Sequence, residues 1–586
     1  MKQKIKKFIK LAYKSINMYL KEVHLKNFKS FQDNKINLNN INILVGKNNS
    51  GKSNLIESID LFFNYRKKYR TINLDNYLFK NTSKKSTKLK FSITCIFKAN
   101  KKIKIDVSRR VKTFEPINAN NELRIRFSHN KSKQRLYSSN TYEIYNYSSA
   151  KYIRLSSIEF NRIFNNFEFL YIPAFRDFSN EHILEEIIGK LFDKSSAIKR
   201  NKIKLSLTKV KTNITNNIIN SFTKDFNNLI DNDFFGKLEL DILFKLNDRK
   251  FIQDILKSSS PVLTDDVQTD INDKGSGLQS FIIIWLYNYL SKLSNKKLIL
   301  AIEEPEAHLH PTAQKNLMKG INTIFKSDNN QIIVTTHSPF LINSSKFESI
   351  ISIQKTSRAK ETISNIKQIK SDFFDTNDLN YFQRNLNIEK KDIFFSDHII
   401  LVEGTSDQLV LNHFLKLYGF DCNFNNCSII PVYGKGNFKF LVKLISAFGL
   451  SYNLIFDRDF FYEFSNNKET WGFFNMCTYS NIRIPASKKQ ALITSKDNII
   501  KLNKKLKEYN AISFVQDLEK DLMTNKTLTH FQTNLDDQTI TLADIKTNNE
   551  HIKKIKRIIQ IIAYDINQKI DLPQSYQRII NFLIKR

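Results

Sequence analysis

The chain has 586 residues, 41% of them hydrophobic and 12% aromatic, which excludes a disordered tail or a small stapled scaffold and allows roughly four compact units. Lys and Arg number 92 against 57 Asp and Glu, and the resulting formal charge of +35 points to a polyanionic partner. Four cysteines are too few for a disulfide framework, so a reducing cytoplasm is expected. The most apolar stretch, Leu278 to Leu290, contains Gln279 and Asn288 and is shorter than the ~20 residues of a membrane span. The basic N-terminus lacks the apolar region of a signal peptide, and a soluble protein with no membrane contact is expected.

In chain order, Tyr19 to Val23 begins an alternating strand, and Ile41 to Val45 is a short β-branched run ending at Gly46. Helical spacing starts at Asn54. Strand-like stretches follow, among them Leu89 to Phe97 and Phe167 to Ile172. From Asn180 to about Asp233 the pattern is helical, polar and rich in Lys and Asn, which predicts an inserted helical arm. Strand character returns at Lys237 to Phe244. A helix over Leu278 to Leu293 leads into a buried strand, Lys297 to Ile302, and Gln331 to Thr335 predicts another. A polar stretch, about 355 to 391, reads as a linker before a new α/β start at Asp397 to Val402.

Two segments carry nucleotide chemistry. Gly46-Lys47-Asn48-Asn49-Ser50-Gly51-Lys52-Ser53 fits G-x-x-x-x-G-K-[ST] between a strand and a helix. Glycines let backbone N–H groups wrap phosphates, with Gly46, Asn49 and Gly51 shaping the loop, Lys52 reaching the β/γ-phosphates and Ser53 ligating Mg²⁺. The strand ending in Ile302 delivers Glu303 and Glu304, one to hold Mg²⁺ through water and the next to polarise an attacking water.

Two further pieces specify the kind of ATPase. Lys274-Gly275-Ser276-Gly277-Leu278-Gln279 opens a helix before the acidic strand, and Thr335-Thr336-His337-Ser338-Pro339 follows the next buried strand. With Val23 to Phe31, this order resembles the ATP-binding-cassette heads of the SMC and RecF group. The resemblance implies that Ser276 and Gly277 contact the γ-phosphate held by another subunit, and that His337 senses the γ-phosphate.

A second constellation follows. Ile399 to Val402 ends in Glu403-Gly404, and Asn453 to Phe456 ends in Asp457-Arg458-Asp459. Carboxylates at the C-terminal ends of adjacent parallel strands converge at the mouth of a doubly wound sheet, where divalent metal offsets their repulsion. These pieces resemble the Toprim domain. An SMC-like ATPase followed by Toprim resembles the OLD (overcoming lysogenization defect) nucleases, most closely the nuclease subunit of Gabija anti-phage systems. The resemblance implies an ABC/SMC-like ATPase domain over 1–355 with a helical dimerisation arm near 180–235, a linker over 356–392 and a Toprim nuclease domain over 393–586. It also implies metal ligation by Glu403, Asp407, Asp457, Asp459, Asp517 and Glu519, and a charge-stabilising role for Lys569. Asp407 stands where the family often has Glu, one methylene longer.

The expected function is therefore a DNA endonuclease dependent on Mg²⁺ or Mn²⁺, regulated by ATP and used in anti-phage defence. Its expected partners are double-stranded DNA, further copies of itself (a dimer through the heads, then a tetramer) and a UvrD-like helicase encoded nearby. A RecF-like DNA-binding repair ATPase with a vestigial Toprim domain stays open as the alternative. The sequence shows neither the zinc ligands of a primase nor a further domain to present a topoisomerase tyrosine.

Overall fold

Short apolar runs become strands buried on both faces, and these organise the computed structural model. It describes residues 18–79, 90–99, 115–131, 138–165, 167–174, 191, 195–229, 262–264, 268–270, 276–294, 296–307, 309–327, 330–343, 346–358, 361–465, 468–516 and 574–584. The first strands are β1 (Met18–Phe28), β2 (Phe31–Asn37), β3 (Ile41–Val45), β4 (Lys90–Ala99), β5 (Glu122–Asn130), β6 (Ser139–Asn146), β7 (Lys151–Leu155) and β8 (Phe167–Ile172). A small hairpin, β9 (Val262–Thr264) and β10 (Gln268–Asp270), precedes β11 (Lys297–Glu303), β12 (Gln331–Thr335), β13 (Ile350–Arg358) and β14 (Glu361–Lys367).

One sheet, in the order β2-β1-β4-β5-β6-β7, is antiparallel throughout. The other, β14-β13-β3-β12-β11-β8, is parallel except for its β13/β14 edge. The period of two in a strand sorts the second sheet's side chains between two cores. Leu44, Ile299, Ala301 and Ile333 pack with the antiparallel sheet and the helix Lys52–Asn64. Ile41, Ile43, Leu298, Leu300, Ile332 and Val334 face the opposite core.

That opposite core continues into the C-terminal unit. Strands β15 (His398–Val402), β16 (Cys427–Pro431) and β17 (Tyr452–Phe456) precede a hairpin, β18 (Glu463–Ser465) and β19 (Lys468–Thr470), and then β20 (Ala511–Ser513). The parallel order is β16-β15-β17-β20. Ile399, Leu401, Leu454, Phe456 and Ala511 join the core of the first unit. Ile400, Val402, Ile455 and Ile512 pack instead with Tyr576, Ile579 and Ile580 from the helix Gln574–Ile584.

The stretch expected to be a linker is folded. It contains the end of β13, all of β14 and a helix, Thr376–Asn385, capped by Asp375. Phe374, Tyr381, Phe382 and Leu386 are buried, so helical spacing within a polar composition supplies an apolar face. Of the predicted arm, the described residues form helices Ala197–Ile214 and Asn220–Leu229 joined by a π turn. Ile198, Leu205 and Ile218 are 72, 65 and 63% exposed there. The predicted strand at 237–244 lies outside the described residues. All four cysteines are free and buried, and among the described residues no helix is long and apolar enough to cross a membrane.

A buried ion pair fastens the folded connector to the C-terminal unit. Asp378, fully buried, pairs with Lys443 of the helix Phe438–Ala447 and accepts a 2.7 Å bond from the Tyr479 hydroxyl. Removing one partner leaves an uncompensated charge in the core, which costs about 3–5 kcal/mol. Lys443→Met is therefore expected to shift urea unfolding by that amount. Lys443→Met combined with Asp378→Leu is expected to lose less than Lys443→Met alone. Equal losses would show that the charge left behind is not the cause.

Candidate functional site

The first site is built where β3 ends and the helix Lys52–Asn64 begins, at the C-terminal edge of the parallel sheet. Gly46 has φ 142° and Gly51 φ 114°, and a Cβ at Gly46 would collide with the carbonyl oxygen of Ile353 on β13. Asn49 also adopts a left-handed conformation, at φ 61°. Lys52 is buried and donates to the carbonyls of Gly46 and Lys47 at 2.7 and 2.9 Å. A cavity of about 360 Å³ opens beside it, lined by Asn49, Gly51, Lys52, Ser53, Glu303 and Glu304 among others.

The acidic strand end and the histidine loop meet this cavity. Glu304 takes φ 43°, a strained conformation held by bonds from its N–H to the Thr335 carbonyl and hydroxyl at 2.9 and 3.2 Å. His337 Nε2 lies 3.8 Å from Glu304 Oε1. Burial pushes the His337 ring below the ordinary histidine range, the Lys52 charge adds to this, and Glu304 opposes it. Burial also lowers Lys52, against Glu304 and Glu303. Tyr171 of β8 hydrogen-bonds Glu303, and burial followed by that carboxylate pushes its hydroxyl well up. P-loop, acidic strand end and histidine loop are thus electrostatically in contact.

Glu306 was not singled out in the sequence, although it closes the Glu303-Glu304-Pro305-Glu306 run. It is buried and accepts from the Thr336 hydroxyl at 2.6 Å and the His337 N–H at 2.9 Å, which fixes the backbone that presents His337. Ser276 and Gly277 begin the helix Ser276–Ser294.

In the second site, β15 and β17 are adjacent and parallel, so Glu403 and Asp457 emerge side by side. One carboxylate oxygen each from Glu403, Asp457 and Asp459 lie within 4.8 Å of one another. Asp407 is not part of this group: its Oδ2 accepts the Gly404 N–H at 2.7 Å and caps the helix Thr405–Leu417. Asp517, Glu519 and Lys569 lie outside the described residues. Lys435 was also not singled out, although a glycine-flanked lysine after a buried strand was the available signal. Its ammonium bonds Asp459 Oδ2 at 2.8 Å and Glu463 Oε2 at 2.9 Å.

A bridge runs between the sites. Lys47 of the phosphate loop pairs with Asp397, the residue before β15, at 2.6 Å. Lys391 Nζ donates to the Ile342 carbonyl at 2.8 Å, and the rings of His337 and Phe395 lie 6.4 Å apart.

The loop geometry generates one expectation. A Cβ at Gly46 both collides and forces an unfavourable φ, a strain of about 1–3 kcal/mol. Gly46→Ala and Lys52→Ala are each expected to weaken ATP binding about tenfold or more in calorimetry. Unchanged affinity in both would remove the phosphates from this loop.

The AAA ATPase domain family matches residues 18–342, and the TOPRIM domain of overcoming lysogenization defect-like proteins matches residues 394–459. The OLD nuclease of Thermus scotoductus is 24% identical over 190 residues, 32% of this chain and 36% of its own length. The Old nuclease of Escherichia phage P2 is 25% identical over 263 residues, 44% of this chain and 43% of its own. Endonuclease GajA of Bacillus cereus strain VD045 is 21% identical over 457 residues, 75% of each chain. This chain thus spans well under half of the two OLD nucleases and three quarters of the endonuclease. By a match over more than half its length, the chain belongs to the AAA ATPase domain family, and it carries an OLD-like TOPRIM domain after its ATPase domain.

Proposed function

We propose that this protein is a divalent-metal-dependent DNA endonuclease controlled by nucleotide in its ATPase domain and used against phage. The observation that carries this reading is the convergence of Glu403, Asp457 and Asp459 at adjacent parallel strand ends. Three carboxylate oxygens are hard donors whose charge suits Mg²⁺ or Mn²⁺. When bound, such an ion generates a nucleophilic water and stabilises charge on the reacting phosphate. Glu403 and Asp457 would hold it, and Asp459 would complete the set. Asp517 and Glu519 are assigned as further ligands by resemblance alone. Lys569 is assigned to charge stabilisation by resemblance alone. The net charge of +35 suits a duplex substrate.

In the ATPase domain, Lys52 and Ser53 would hold the phosphates and their Mg²⁺, Glu303 the ion's water, and Glu304 and His337 the attacking water and γ-phosphate. Ser276 and Gly277 would complete a partner's site, which requires at least a dimer. Exposed apolar side chains on the described part of the helical insertion favour it as an additional contact toward a tetramer. The division into an ATPase domain over 1–355, a connector over 356–392 and a Toprim domain over 393–586 belongs to the same reading. So do a UvrD-like helicase partner and a cytoplasmic location.

Purified protein incubated with plasmid and Mg²⁺ is expected to cut it, and EDTA is expected to stop cutting. Asp457→Ala and Glu403→Ala are each expected to abolish cleavage with ATP affinity retained. Cleavage that persists in both variants would move the active site elsewhere. DNA binding by wild type without any cleavage in Mg²⁺ or Mn²⁺ would favour the repair-ATPase alternative.

The bridge offers a route for nucleotide control. Phosphates in the loop attract Lys47, and Asp397 competes for the same ammonium at the entry to the strand that carries Glu403. An exposed pair of this kind is worth about 1 kcal/mol at most. Asp397→Asn is accordingly expected to tighten ATP up to about fivefold in calorimetry, and to narrow the difference in cleavage rate with and without ATP. Unaltered ATP affinity together with an unaltered difference in rate would remove this route.

A further inference from the structure

The segment Gly434-Lys435-Gly436-Asn437, between β16 and the helix Phe438–Ala447, has features that neither folding nor the acidic group explains. Gly434 has φ 110° and its N–H donates to the Glu403 carbonyl at 3.2 Å, so the loop is tied to a residue of the acidic group. Tyr433, at φ 60°, adds a second left-handed residue. Asn437 locks the turn: its side chain donates to the carbonyls of Val432 and Tyr433 at 3.2 and 2.8 Å, and its N–H to the Gly434 carbonyl at 2.9 Å. The loop is therefore a built platform at the mouth of the β-sheet.

Two details point outward from it. Lys435 holds its ammonium on Asp459, at 38% side-chain exposure. Gly436 has no positive φ, and a Cβ there would meet nothing within 4 Å. Among the described residues, neither backbone conformation nor packing asks for glycine at 436, whereas close approach of a large ligand would. An ammonium and a bare backbone side by side, next to three converging carboxylates, suit a phosphate of a polyanion.

We propose that this loop seats a DNA phosphate: Lys435 contacts its non-bridging oxygens, and Gly436 clears room for the duplex backbone. The inference rests on the nuclease reading above and assigns to it a substrate-contacting residue. Lys435 then exchanges one set of partners for another. Without DNA it lies on Asp459 and Glu463, the former in competition with a divalent ion. With ion and duplex present, it turns to the phosphate, where a positive charge counters the charge that develops during attack.

The competing explanation is that Lys435 only orients Asp459, and the two make opposite forecasts for metal affinity. In Mn²⁺ calorimetry without DNA, Lys435→Met is expected to bind the ion as tightly as wild type or tighter, because a competing cation is gone. Against a short random-sequence duplex in Ca²⁺, titrated between ~50 and ~200 mM salt, its log–log salt slope is expected to be shallower by about one. Lys435→Arg should keep the wild-type slope. Gly436→Val should weaken duplex binding severalfold with Mn²⁺ affinity unchanged. Cleavage in Mg²⁺ is expected to fall about a hundredfold in Lys435→Met. Weaker Mn²⁺ binding with an unchanged salt slope would make Lys435 a positioning residue and overturn the proposal. Wild-type values for slope and Mn²⁺ affinity in Lys435→Met would overturn it as well. If wild type fails to cleave, the nuclease reading falls, while the slope still decides whether Lys435 meets a phosphate.

Discussion

One apolar core shared by two parallel sheets is the constraint on which the rest of this structure depends. Ile41, Ile43, Leu300 and Val334 from one sheet and Leu401, Leu454 and Phe456 from the other belong to the same buried cluster. The connector adds Phe374 and Phe382 to it, and Ile393 and Phe394 just after it join as well. Because protein interiors are close-packed, neither sheet can shift without opening voids in the other's core. Polar bonds also cross this junction. They include the Lys443–Asp378 pair, Lys391 on the Ile342 carbonyl, and Gln354 on the Phe448 carbonyl at 2.8 Å. Their effect is to fix register between surfaces that the hydrophobic contact already holds together.

That rigidity explains why two chemically distinct sites stand on comparable foundations. Each is made at the C-terminal ends of parallel strands, where chain direction changes and side chains are freed from the ladder. Each places carboxylates at those ends and sets a lysine near them: Lys52 with Glu303 and Glu304, Lys435 with Asp459 and Glu463. The two lysines differ in environment. Burial pulls Lys52 below the ordinary lysine range. Partial burial pulls on Lys435 too, but the hydrogen bonds and charges of Asp459 and Glu463 outweigh it and raise it. Such sites suit phosphate chemistry, in which little covalent work is asked of the protein and positioned charge does most of it.

The bridge between the sites joins residues that lie far apart in sequence. Lys47 belongs to the phosphate loop, Asp397 begins the strand that ends at Glu403, and their ion pair spans the two units. A surface pair contributes little to stability. It is well placed as a signal, because one of its members is also drawn to whatever anion enters the loop. The bonds from Thr336 and His337 to Glu306 tie the histidine loop to the segment that follows the acidic strand.

How much was legible beforehand follows from the range of the interactions involved. Ile41 to Val45 and Gln331 to Thr335 were read from the sequence with the bounds the structure has, because buried parallel strands are short apolar runs with sharp ends. The phosphate loop, the Glu303-Glu304 pair, and Glu403 with the Asp457-Arg458-Asp459 triplet were equally plain, since each is a contiguous motif at a strand end. The connector reads as a linker in sequence because its few apolar residues are spaced helically among polar ones, and only a partner surface shows that Phe374 and Phe382 are core. Asp407 sits one turn from Glu403 in sequence, and the structure adds that its Oδ2 accepts the Gly404 N–H, a bond that spacing does not reveal. Lys435, Glu306 and the Lys47–Asp397 pair owe their roles to residues far from them in sequence. The sequence determined which strands form and which acids end them. Tertiary structure decided which charges face one another, because that depends on how two sheets share a single core.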